Sequence, residues 1–577
     1  MYRYDNIDRR IVDARVAQHR GQIARNLAGT LADEELRPVR LQNGLYIERH
    51  GPMLRIAIPY GLLSSTQLRK LADISRRYDR GYGHFTTRLN MQLNWPKFEE
   101  TPAILDELAS VEMHAIQSSG ACIRNITADK FAGVAPDELA DPRPYCEILR
   151  QWSTLHPEFA FLPRKFKIAV NGAAEDRAMI RMYDLGLQLT RAGSGDGGDG
   201  AGEIGLRVFV GGGMGRTPFV GQLMRDFLPR RHLLTYLEAL LRVYNRYGRR
   251  DNLYKARIKI LVNALGVEEF ARQVEEEWAF SRDGPATLTD REFDRVAAYF
   301  APPPYQSLPA GDPAFASAVA QDKTFAAWAE RSVHAHRVSG YAAVTLSLKA
   351  PGKAPGDVTA GQMEALAELA ERYSFGELRL THEQNVVLAD VRQGDLFAVW
   401  QKARAHGLAT ANVGLLSDMI CCPGGDLCGL AYARSVPVAL AVQERFGDPD
   451  DLRDLGEISL NISGCVNSCG HHHVGNIGVI GIDKNDEEWY QIVVGGRQGN
   501  ATAIGKVIGP SFAAEEVPEV IDALIAVYRE RRNGGERFID TFERLGIEAF
   551  RERAYAGRER GKTASEQGAA HDQDHQE

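Results

Sequence analysis

Gln67, Tyr78, Thr86 and Asn90 each have an identical counterpart 295 positions later, at Gln362, Tyr373, Thr381 and Asn385. One offset kept across a helix-periodic stretch and the strand-like stretch that follows is hard to obtain by chance, so the chain must build the same local unit twice. In the first copy the apolar spacing from Gln67 to Tyr78 predicts a helix, a glycine-containing turn follows, and Phe85 to Leu93 predicts a strand. MLRIAIP, residues 53–59, precedes the first helix, and AVTLSLKAP, residues 343–351, precedes the second. Each copy therefore reads as strand, helix, strand, and two copies suit a pseudo-twofold module.

A chain of 577 residues exceeds what one hydrophobic core organises, which implies several domains. The repeats and composition divide it at 1–120 (an N-terminal arm and the first repeat), 121–335, 336–410 (the second repeat), 411–555 (the cysteine-rich part) and 556–577. That last segment is polar and expected to be disordered. The segment 121–335 carries strand runs KFKIAV and GLRVFVGGG and then a long helical zone; the cysteine-rich part carries NIGVIGID and WYQIVVGG and a late helix. An α+β chain follows, with two repeated half-domains and two further α/β domains. The net charge of -7 gives no reason to expect nucleic-acid binding. No apolar run reaches the roughly 18 residues of a membrane span and no leader pattern opens the chain, so a cytoplasmic protein is expected.

Two glycine-rich runs need separate treatment. GSGDGG, residues 193–198, has dinucleotide-motif spacing but no buried strand leading into a helix, and reads as a flexible loop. VGGGMGRT, residues 210–217, ends a strand run in three glycines before Arg216. It suits either a tight turn or a close backbone approach to a large planar or anionic ligand, with Arg216 as a candidate contact.

Five of the seven cysteines fall within residues 421–469, the distribution of a metal centre in a reducing compartment rather than of a disulfide framework. Cys422 and Cys428 are separated by five residues, and Cys465 and Cys469 by three. Four thiolates from two distant loops suit a [4Fe-4S] cluster better than structural zinc or disulfides, both of which stay open on spacing alone. Cys421 reads as a buried thiol beside the ligands, and Cys122 and Cys146 as core residues. The run His471, His472, His473 is expected to make hydrogen bonds to solvent or behind the ligands, since adjacent side chains diverge.

Taken in order, MLRIAIP, HFTTRLNMQ, CIRN, LPRKFKIAV, VGGGMGRT, CCPGGDLC and GCVNSCG resemble the assimilatory sulfite and nitrite reductases, in particular the sirohaem-containing subunit of sulfite reductase. The resemblance spans roughly residues 30–550 and implies two ferredoxin-like half-domains, a [4Fe-4S] cluster on the four cysteines, and Cys469 shared with the sirohaem iron. It implies four cations around the substrate anion, Arg55, Arg124, Lys165 and Lys167. Lys165 and Lys167 alternate along KFKIAV and so share one side. It also implies a carboxylate cradle at alternating positions, which here reads His84, Thr86 and Arg88 with histidine in place of the family's first arginine, and Gln92 as a further cofactor contact. The second repeat offers Arg379, Thr381 and Glu383, and a glutamate would repel an acidic macrocycle.

Related nitrite reductases commonly carry asparagine where Lys167 stands, and a second lysine matches the greater negative charge of sulfite. Sulfite reduction to sulfide is therefore expected, with nitrite reduction to ammonia, or a non-catalytic iron-sulfur scaffold, as alternatives. The chain offers no flavin module, so electrons are expected from a ferredoxin or a separate NADPH-dependent flavoprotein. RRHLLTY or YGRRDNLYKARIK could supply a basic patch for an acidic donor.

Overall fold

The computed structural model describes residues 3–193 and 202–556. All of GSGDGG but its first glycine, and the polar tail from residue 557, lie outside these residues.

The repeated residues have local jobs. Ser64 and Thr359 cap the helices Ser65–Tyr78 and Ala360–Tyr373, and Gln67 and Gln362 complete the two capping boxes by accepting the cap residues' N–H groups. Such boxes contribute on the order of 1 kcal/mol each. Each glutamine also donates to a carbonyl beyond the unit's next helix, Val111 in one copy and His406 in the other. Thr86 and Thr381 close identical turns, their hydroxyl oxygens accepting the N–H of Asn90 and Asn385.

That turn corrects the expected strand over Phe85 to Leu93. The chain instead forms Tyr82–Phe85 and Asn90–Leu93, joined by a reversal in which Leu89 takes φ 55°. His84, Thr86 and Arg88 therefore do not alternate along one strand; they ride the end of a strand and the turn after it.

The two half-domains exchange strands. The first five-stranded sheet runs Leu45–Ile47, Pro52–Ala57, Asn90–Leu93, Tyr82–Phe85 and then Asp357–Thr359 from the second repeat; the second sheet ends reciprocally in Leu62–Ser64 from the first. The repeat helices pack on each other, and Arg69 pairs with Glu371 across that contact. Neither half closes its sheet without the other.

The repetition reaches further than the sequence indicates. Thr127–Ala128, Ile168–Asn171 and Leu185–Arg191 run parallel and continue antiparallel into Ile204–Val210 and Gln222–Pro229. Ile420–Cys421, Leu460–Ser463 and Ile477–Lys484 run parallel and continue antiparallel into Glu487–Val494 and Lys506–Val507, the same order and polarity. One continuous core joins the half-domains to the first of these sheets, and a separate core underlies the cysteine-bearing sheet. Among the described residues no helix is long and apolar enough to cross a membrane.

Candidate active site

A cavity of about 1740 Å³ opens between the first repeat's turn, loops of the first mixed sheet and the cysteine loops of the second. Arg55, His84, Thr86, Arg88, Gln92, Arg124, Lys165, Lys167, Arg216, Cys422 and Cys469 all line it. Residues from 55 to 469 thus converge on one wall. Cys428 and Cys465 are not part of that wall.

Lys165 and Lys167 lie on extended backbone just before the strand Ile168–Asn171, with Phe166 fully buried on the other side. The alternation holds because Phe166 bridges to Ile123, and the Arg124 N–H donates to the Phe166 carbonyl at 2.7 Å. Arg124 is fixed in turn by donating to the carbonyls of Gly120 and Ser118 at 2.9 and 3.0 Å. Arg55 is paired in register with Gln92 and donates to its Oε1 at 3.0 and 3.2 Å, and to the Tyr46 hydroxyl at 3.3 Å. Gln92 therefore orients Arg55 with its oxygen and keeps its amide N–H groups for another partner.

The cradle residues reach the cavity while committed to protein. Arg88 donates to the Asn125 carbonyl at 2.7 Å and lies over the Tyr183 ring at 4.5 Å. His84 is held at both ring nitrogens, Nδ1 by Asp357 at 2.8 Å and Nε2 by Gln384 at 3.1 Å. Both partners come from the second repeat, so the residue that departs from the family pattern joins the two halves.

Reading the sequence missed four cations of the same wall: Arg164, Lys255, Arg257 and Lys259. Three of them belong to YGRRDNLYKARIK, one of the two stretches that could supply a basic patch: Lys255, exposed, Arg257, half-buried, and Lys259, at 5% exposure, border the cavity, while Arg249 and Arg250 are exposed. Arg230 of RRHLLTY pairs with Asp290 and lies over Phe293, bordering a different cavity. The signal was the alternation of Lys255, Arg257 and Lys259 across the start of a helix, which looks the same as a solvated face.

Ten lysines and arginines meet one acid, Asp483, on this wall. Burial and neighbouring Arg124 push Lys165 down to about 7, and Lys259 falls to about 8 through burial and then Arg257. Concentrating so much like charge is costly unless a polyanion offsets it. The pseudo-twofold counterpart has the opposite balance. A cavity of about 550 Å³ is lined by Lys130, Arg177 and Arg331 against six acids that include Glu383. Glu383 pairs with Lys130 at 2.9 Å, and Arg379 is held by Glu377 at 2.7 Å. Only the first cavity has the charge for an anionic macrocycle.

The glycine run of residues 211–213 packs against protein rather than ligand. A Cβ on Gly212 would sit 2.3 Å from the Arg181 carbonyl oxygen and 2.5 Å from that of Tyr183, so Gly212→Ala should destabilise the fold by several kcal/mol and lower cofactor loading; a thermal melt and a visible spectrum check it. Met214, Gly215, Arg216 and Thr217 then line the cavity, where a Cβ on Gly215 would meet nothing within 3.8 Å (the nearest atom stands at 3.9 Å).

Cys422 and Cys465 follow adjacent parallel strands, the position at which open α/β sheets bind ligands. Each of Cys422, Cys428 and Cys465 feels at least one of the other thiols; with burial the larger cause, they are pushed up to about 12, 12 and 11. Bringing thiols together without a counter-charge disfavours the thiolates that metal coordination stabilises. Among the described residues no three His, Cys, Asp or Glu side chains converge as for a single metal ion. Backbone N–H groups of Leu430 and Gly464 point at Cys428 and Cys422 sulfur at 3.4 and 3.3 Å, the contacts that tune a cluster. Cys421 is buried with its thiol on the Cys422 carbonyl, and Cys146 is fully buried.

The three histidines are not solvent-facing as one alternative had it. His471 and His472 are buried, and His473 meets the Gly215 carbonyl at 3.0 Å. His471 Nδ1 and Ser468 Oγ are buried without hydrogen-bond partners in residues that line the cavity. Unsatisfied polar atoms, ten cations and clustered thiols are the donor set that a carboxylate-bearing macrocycle beside an iron-sulfur cluster would use.

Comparison with known proteins agrees. The description "Nitrite and sulphite reductase 4Fe-4S domain" matches residues 119–281 and 417–560, and "Nitrite/Sulfite reductase ferredoxin-like half domain" matches 46–111 and 334–406. The chain is 28% identical over 514 residues to "Sulfite reductase [ferredoxin] 1" of Mycolicibacterium paratuberculosis, covering 86% of this chain and 83% of that one. It is 30% identical over 509 residues to the chloroplastic ferredoxin–nitrite reductase of Zea mays, covering 84% and 80%. Its fold matches the structure of the Mycobacterium tuberculosis NirA protein with a TM-score of 0.74, at 25% identity, over 90% of this chain and 92% of that one. The matched segments take in both repeats and both mixed sheets: the chain belongs to the nitrite and sulfite reductase family, whose members work with sirohaem and a [4Fe-4S] cluster.

Proposed function

We propose that this protein reduces sulfite to sulfide in the cation-lined cavity. The observation that carries the reading is Lys165 and Lys167 side by side on one extended segment, together with Arg55 and Arg124. Cys469 would help hold both the sirohaem and the cluster, which when bound would supply the electrons for the reduction. Cys422, Cys428, Cys465 and Cys469 would hold the cluster, with His84, Thr86, Arg88, Gln92 and Arg216 toward the macrocycle.

The chain's own groups then account for binding and protons. Arg55, pinned by Gln92 and Tyr46, and Arg124, pinned by two carbonyls, present guanidinium groups that need little reorganisation when negative charge grows on the substrate oxygens. Each oxygen leaving as water takes two protons. Lys165, lowered to about 7, exchanges protons readily near neutrality, as an ordinary surface lysine does not. A non-catalytic iron-sulfur scaffold would have no use for such a pocket.

Nitrite is the second reading, since relatives of both kinds match at similar identity. These relatives are named as ferredoxin enzymes, which supports a ferredoxin rather than an NADPH flavoprotein as donor. The test is kcat/KM for sulfite against nitrite with a chemical reductant. We expect sulfite to be preferred, and Lys167→Asn to move the ratio toward nitrite by roughly tenfold or more, the effect of one lost charge-assisted contact. A wild-type preference for nitrite would reverse the assignment.

A further inference from the structure

Asp184 is fully buried immediately before the strand Leu185–Arg191, and the functional reading assigns it nothing. Its Oδ2 accepts the backbone N–H of Lys167 at 2.9 Å, and its Oδ1 accepts Arg257 Nε–H at 2.8 Å, with Arg257 Nη2 at 2.7 Å. The backbone continues the same join, the Leu185 N–H donating to the Lys167 carbonyl and the Gly211 N–H to the Asp184 carbonyl, both at 3.1 Å. One carboxylate thus ties the lysine segment to the residue that opens the helix Ile258–Leu265. Gly213, at φ 155°, leaves the guanidinium room; a Cβ there would lie 2.9 Å from Arg257 Nη2.

We propose that Asp184 and Arg257 form a positioning pair that fixes Lys167 on the substrate side of the cavity and balances the charge behind its ammonium group. This rests on the reading of Lys167 as a substrate-facing cation.

The geometry explains both parts. An N–H bound by a buried, charge-assisted acceptor fixes the backbone at Lys167, and with it the direction of the side chain. The charged and titratable groups around Lys167 are Lys165 on its own segment, Arg88 from the first repeat's turn, Arg257 from the helix start, Asp184, and His471 from the cysteine loop. Burial, Lys165, Arg257 and Arg88 all push Lys167 well below the ordinary lysine range, and Asp184 opposes them. Arg257 spends part of Asp184's negative charge. The pair therefore works as a divider: removing the aspartate charge should lower Lys167 further, whereas removing the arginine charge should raise it.

The experiment compares wild type, Asp184→Asn and Arg257→Met as holoenzymes, loading checked by visible spectrum. It measures kcat/KM against pH for sulfite and for nitrite, and sulfite affinity by calorimetric titration over the same range. We expect the alkaline limb of both profiles, to which Lys167 contributes together with neighbouring Lys165, to move to lower pH in Asp184→Asn and to higher pH in Arg257→Met, each by on the order of one unit. Limbs that stay put, or that move the same way in both variants, overturn the proposal, because a purely structural role has no reason to give opposite signs. If Asp184→Asn does not fold or load, Arg257→Met decides alone: an alkaline shift supports the pair and its absence refutes it. A wild type that reduces neither anion would fail the functional reading itself, and in that case sulfite binding still reads the charge effect.

Discussion

Cys469→Ser should yield protein lacking both chromophoric centres and turning over slower than wild type by roughly three orders of magnitude or more, whereas Cys421→Ser should keep both centres. The two cysteines share a small region and differ in what they face. Cys469 lines the cavity beside Lys165, and its carbonyl accepts the Thr87 hydroxyl at 2.8 Å, tying the cysteine loop to the turn of the first repeat. Its sulfur influences Cys422, Cys428 and Cys465 alike, the central place expected of a ligand shared between two groups. Cys421 points away, fully buried, with its thiol on a neighbouring carbonyl that a serine hydroxyl can also reach. Serine there should cost no more than about 1–2 kcal/mol. Iron and acid-labile sulfide content, with the visible spectrum of anaerobically purified protein, check both variants. Equal cofactor retention in the two would remove Cys469 from the ligand set.

What could be read from the chain alone followed how local the interaction was. Gln67 and Gln362 announced the repeat because a capping box and one carbonyl contact can be met only by that residue at that offset. The cysteine loops were legible because ligand spacing is written along the chain. The strand exchange was not, since Asp357 meets His84 from 273 positions away and neither residue's neighbours signal the pairing. The likeness of the two mixed sheets was hidden for a related reason: it lies in strand order and polarity, which hydrogen bonds hold without keeping side-chain identity. Arg257 and Lys259 were misplaced because drawing cations off the solvated surface to line a cavity, Lys259 to burial, makes sense only once the cavity's polyanionic content is considered.

Lys165→Arg should leave sulfite affinity within a fewfold of wild type and reduce kcat by about a hundredfold, with the alkaline limb of the rate profile displaced upward. The argument is one of sign. Burial first, then Arg124, depress the Lys165 ammonium to about 7, so the charged, proton-bearing form is present below that pH and is lost as pH rises through it. Wild-type activity should accordingly fall above about neutrality, more than three units before a solvent-exposed lysine would titrate. Arginine preserves the charge that holds the anion but cannot release a proton in this range, which separates binding from delivery. Lys165→Met should lose both functions, raising KM as well as lowering kcat. Steady-state rates from pH 6 to 9 with a chemical reductant give the comparison. If Lys165→Arg retained full kcat, protons would have to arrive through Lys167 or by water, and Lys165 would be an electrostatic anchor for the anion alone.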